Sequence, residues 1–125
     1  MLEVAVQTMN SPSADLFFQR GLDLLAAGSS AEAAQAFRAA LDADATHFEA
    51  HHGLIRALRD AGHFERSIAA ALALTALTPA DPLAHTALSI SLQAGGHIPE
   101  AEAARARARI AEWKAQLATP EGSGQ

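Results

Sequence analysis

Small and apolar positions recur along this chain at one fixed offset. Leu24, Leu58 and Leu92 stand 34 residues apart, and so do Gly28, Gly62 and Gly96. The same offset aligns Phe17, His51 and His85; Gly21, Ile55 and Ser89; Ala33, Ser67 and Ala101; and Ala40, Leu74 and Ala108. A period of this length marks a tandem structural repeat. Nearly the whole chain reads as three copies of one unit.

Local signals divide each copy into two helices. Ser11-Pro12 fits a helix start, since serine caps free N–H groups and proline suits the first turn. The first helix is expected from about Pro12 to Ala27, with Gly28 as its stop, because glycine enters the left-handed region without steric cost. Ser29 with Glu32, and Thr46 with Glu49, read as capping boxes that open the second and third helices. Those helices should end near Ala43 and Ala61. A fourth helix is expected from Phe64 to Leu77. Asp81-Pro82 opens a fifth that ends at Gly95-Gly96. The sixth should run from near Pro99 to Ala118.

The last helix carries Ala103, Ala106, Ile110, Trp113 and Leu117 at spacings of three and four, an apolar stripe. It is expected to pack on the preceding repeat as a cap. Ile110, Trp113 and Leu117 are the alternative contact between two copies. Residues 1–11 read as a flexible arm in which Leu2, Val4 and Val6 alternate with polar residues. Residues 119–125 read as a frayed tail.

Composition narrows the class. Half of the chain is hydrophobic, much of it alanine, which favours helices and close helix contact. There is no cysteine, so neither disulfides nor thiolate metal sites arise. A net charge of −5 argues against binding nucleic acid through its phosphates. No apolar stretch is long enough for a membrane span. The expected setting is the cytoplasm.

The repeat resembles the tetratricopeptide repeat family. The residues that carry the resemblance are Phe17, Gly21, Leu24, Ala33, Phe37 and Ala40 in the first copy. In the second they are His51, Leu54, Leu58, Gly62, Phe64, Ser67 and Pro79. In the third they are His85, Leu88, Leu92, Gly96 and Ala101. The resemblance implies an all-α, right-handed α-α superhelix, or solenoid, of three tandem helix-turn-helix units with an extended C-terminal capping helix. It implies one domain over 12–118, with repeats at about 14–47, 48–81 and 82–115. Arg105 replaces the usual aromatic, which fits the polar outer face of a terminal repeat.

The resemblance also implies a function: a non-catalytic adaptor that binds a peptide or helix of another protein along the first helices of successive repeats. The implied wall includes Phe18, Leu22 and Leu25; then Glu49, His52, Arg56 and Arg59; then Thr86, Ile90 and Gln93. Asp15 and Leu83 belong to the same register. Arg56 and Arg59 suit a carboxylate, and the apolar members suit the anchors of a peptide. Lys114 is the only lysine, so the Lys and Asn set that grips acidic C-terminal tails in this family is missing.

Structural self-assembly, through the arm or the last helix, is the second reading. A metal site built from His47, His51, His52 and His85 is the third, and it needs three or four converging ligands. His51 and His85 also fill the aromatic packing position of the repeat. No phosphate loop or catalytic grouping stands out, and neither enzymatic activity, cofactor nor resident metal is expected.

Overall fold

The computed structural model describes residues 11–118, so the arm residues Leu2, Val4 and Val6 and the tail 119–125 lie outside the described residues. Six helices follow one another: α1 Pro12–Ala26, α2 Ser30–Ala43, α3 Phe48–Asp60, α4 Phe64–Leu77, α5 Pro82–Ala94 and α6 Ile98–Ala118. No strand occurs among the described residues. The described residues fall into two compact units, divided between His63 and Phe64.

The same turn is built three times. Gly28, Gly62 and Gly96 take φ values of 84°, 83° and 87°. Each follows a helix whose last carbonyls are recaptured: Ser29 N–H donates to Leu24 O at 2.9 Å, His63 N–H to Leu58 O at 2.8 Å and His97 N–H to Leu92 O at 2.8 Å. This bond, with a second from each glycine N–H, forms the Schellman closure. A Cβ at any of the three glycines would meet nothing within 4 Å. The demand for glycine is therefore one of backbone angle, not of space.

The N-caps differ from the sequence expectation at two helices. Ser11 Oγ accepts from Ala14 N–H at 3.3 Å and Asp81 Oδ1 from Leu83 N–H at 3.0 Å, as the sequence predicts. Ser29 occupies the cap of α2 but makes no side-chain cap bond. Thr46 is not a cap. Its hydroxyl donates to Asp44 Oδ1 at 2.7 Å and its N–H donates to the same oxygen at 3.0 Å. These two bonds, the hydroxyl first, hold the Asp44 carboxyl below its ordinary pKa. The cap of α3 is His47, whose Nδ1 accepts from Ala50 N–H at 3.1 Å.

In the first unit, α1 and α2 form a hairpin and α3 packs on both. Its centre is Phe37 of α2, which is 0% exposed. The ring lies between Gly21 of α1 and Gly53 of α3; a Cβ on either would stand 2.6 Å from Phe37 Cε1. Ala14, Ala33, Ala40 and Ala50 complete the packing. The ring of Phe18 stands 5.8 Å from that of Phe37 and 4.8 Å from that of His47.

In the second unit, α5 packs against both α4 and α6. Small residues replace the single large ring. Ser67 of α4 and Ser91 of α5 share a buried hydrogen bond of 2.8 Å, and Ser89 Oγ donates to Ala101 O of α6 at 2.8 Å. Leu74, Leu88, Ala71 and Ala84 fill the remainder.

The buried face of α6 is not the stripe expected from the sequence. Ala101, Ala104 and Ala108 are buried, whereas Ala103, Ile110, Trp113 and Leu117 are exposed and Ala106 is partly so. Alanine recurs on several faces of this helix, so more than one apolar stripe satisfies the helical spacing. The choice is made by α5, whose Ser89 hydroxyl seeks the Ala101 carbonyl.

Candidate protein-binding surface

The helices α1 and α3 both pack on α2 in the first unit, where Gly21 and Gly53 leave room for the Phe37 ring between them. Both helices carry sequence-predicted residues at equivalent repeat positions. Phe18, Leu22 and Leu25 of α1 stand 34 positions before His52, Arg56 and Arg59 of α3. Leu22 is 38% exposed, while Phe18 and Leu25 are half-buried. Phe18 therefore has two roles: one edge packs on Phe37 and His47, and the other reaches the surface.

The α3 side of this wall is polar. Arg56 is exposed and holds Asp60 only loosely, Nε to Oδ2 at 3.6 Å one turn away. Arg59 makes no ion pair among the described residues. Glu49 is exposed and His52 half-buried. At the foot of the wall, His47 Nε2 and Asp15 Oδ1 are 3.2 Å apart. His47 thus joins the two helices with both ring nitrogens engaged: Nδ1 caps α3 and Nε2 reaches α1. The helix α1 thus carries apolar residues and α3 cationic ones, and both helices pack on α2.

The third set of predicted residues belongs to the second unit. Ile90 is 46% exposed on α5, with Thr86 beside it. Gln93 is engaged, its Oε1 accepting from Arg105 Nη2 at 3.0 Å. On α6, Trp113 is 59% and Leu117 67% exposed, and Ile110 is exposed as well.

Three other histidines have structural work. His51 Nε2–H donates to Ala45 O at 2.9 Å, and His85 Nε2–H donates to Pro79 O at 2.7 Å. The two bonds recur at the repeat period, each tying a helix to the connector before it. His97 Nε2 meets Glu65 Oε2 at 2.7 Å, a contact that raises the pKa of His97. Among the described residues no three His, Asp or Glu side chains gather as metal ligands. No helix among them is long and apolar enough to cross a membrane.

A family model described as the tetratricopeptide repeat matches residues 24–91. The chain belongs to the tetratricopeptide repeat family. Tetratricopeptide repeats generally mediate protein–protein interaction and are typically non-catalytic. The matched span covers α2 to α4 entire, and it reaches Leu24 in α1 and Ser91 in α5. The matched span thus includes Phe37 and Gly53 of the first unit and the serine pair of the second. No curated protein matches the chain.

Two contributors escaped the sequence reading. Gly53 lies outside the aligned glycines, yet it admits the Phe37 ring as closely as Gly21 does. A glycine in mid-helix was the available signal, since it weakens a helix unless packing requires it. Ser91, two residues beyond the repeat's small position at Ser89, is the other.

Proposed function

We propose that this chain is an adaptor that holds a peptide or helix of another protein on the α1–α3 wall. The observation that carries the reading is the pairing of exposed Leu22 with Arg56 and Arg59 on a rigid helical support. Apolar anchors of a bound segment pack on Phe18, Leu22 and Leu25, and an acidic group meets the two guanidinium groups. Glu49 and His52 border this strip. Thr86, Ile90 and Gln93 repeat the register on α5, within the second unit, and offer a further patch. The function is binding, without catalysis and without a cofactor.

The test is capture of partners from source-cell lysate by the wild type beside Arg56→Glu/Arg59→Glu. Both proteins are first matched in helicity and mass. A stoichiometric partner held by the wild type and lost by the double variant is the expected result. A partner held equally by both removes the wall from the account.

Exposure of Ile110, Trp113 and Leu117 favours self-assembly as a second reading. It requires a dimer mass in solution that Trp113→Ala abolishes. A monomer mass at high concentration ends it.

A further inference from the structure

The packing seam of α6 continues past the helix it packs against. Ala101, Ala104, Ala108, Ala111, Ala115 and Ala118 follow one another at alternating spacings of three and four. This is the a/d pattern of a helix–helix seam. The first three are buried, and Ser89 of α5 bonds to the first. The helix α5 begins at Pro82, and the end of α6 overhangs it. There Ala111, Ala115 and Ala118 line a cavity of about 580 Å³, walled by Pro79 of the connector and by His85.

Three features define what fits this cavity. Alanine along the seam lets a second helix approach at the short end of the usual 8–10 Å interaxial range. Arg107 and Lys114 stand one residue before Ala108 and Ala115, on one edge of the seam and two helical turns apart. Both line the cavity, no carboxylate does, and neither cation makes an ion pair among the described residues. His85 closes one side of the cavity, held in place by its Nε2–H bond to Pro79 O.

We propose that the overhanging end of α6 is a second docking seam, separate from the α1–α3 wall, for an acidic amphipathic helix of another protein. That helix carries small apolar residues at alternating spacings of three and four. Its carboxylates, seven residues apart along one edge, lie against Arg107 and Lys114. Basic residues at the edge of a seam select acidic ones opposite. A second copy of this chain does not meet the description. None of the six described helices bears two acids seven apart; Asp42 and Glu49 have that spacing but are divided by the turn between α2 and α3. Antiparallel pairing of two α6 seams would also set cation against cation.

The experiment uses the full chain and two designed helical peptides, each roughly three heptads long and lacking tryptophan. Both share the apolar seam; one has Glu along its edge and the other Lys at the same positions. Trp113 is the only tryptophan and lies on the overhang, so its fluorescence reports binding. The acidic peptide is expected to bind one to one, at least about tenfold tighter than the basic one. Arg107→Glu/Lys114→Glu, shown to keep wild-type helicity, should reverse the preference, while Arg56→Glu/Arg59→Glu should leave it unchanged. Equal affinity for both peptides, or binding of neither, overturns the proposal. Binding that appears only when the chain is cut after Ala118, or when a dimer is dissociated, gives the seam to the tail or to a second copy and overturns it too.

Discussion

Phe37 in α2 and Arg105 in α6 occupy the same place in the repeat, 68 residues apart. The first is wholly buried between two glycines; the second is exposed and donates to Gln93. One unit is centred on a ring that two helices make room for by omitting side chains. The other is centred on small residues joined by hydroxyl bonds, and its last helix turns a cation outward. Repeat position alone therefore does not set a residue's environment. A further helix on the far side does, and α3 supplies it to Phe37. Arg105 shows how a sequence writes the end of a packing series.

Four changes test that contrast, from the largest effect to the smallest. Phe37→Ala should cost about 3–5 kcal/mol, read from urea unfolding, because two glycine-lined helices cannot collapse into the space. Gly53→Ala should cost about 1–3 kcal/mol, since its Cβ meets the ring. In a Phe37→Leu background the same change should cost much less, a non-additivity that a double-mutant cycle measures. Equal costs in both backgrounds would deny the contact.

In the second unit, Ser91→Ala should cost about 1 kcal/mol, the scale of one buried hydroxyl bond. The smallest effect is electrostatic. Glu65 raises the pKa of His97, first through their hydrogen bond and then through charge. A raised folded-state value means the stabilisation is full below the ordinary histidine pKa of about 6.5. It is lost as pH rises through the raised value. Melting temperatures of wild type and Glu65→Gln should differ at about pH 5.5 and converge at about pH 8.5.

The parts of the fold that were legible in sequence are those fixed by single residues. Gly28, Gly62 and Gly96 each demand a positive φ, and Asp81-Pro82 both caps and starts a helix, so turns and helix bounds could be read locally. Competition between neighbours was not legible. Thr46 has the identity of a cap, but Asp44 captures its hydroxyl, and an imidazole takes the role instead. The buried face of α6 was hidden for a different reason: an alanine-rich helix satisfies the apolar spacing on several sides, and only α5 decides among them. The repeat register that aligns α1 with α3 was readable. The partial burial of Phe18 was not, because it depends on a histidine 29 residues away.

The clamped ring of Phe37 has a consequence for motion. An aromatic ring turns over only when its surroundings move aside, and here those surroundings are the backbones of α1 and α3. Each half-turn of the ring thus requires the two helices to part briefly. Its rate, seen in the exchange of the two ring edges by nuclear magnetic resonance, is a clock on the breathing of the trio. A ligand that staples α1 to α3 from outside would slow that clock without touching the ring.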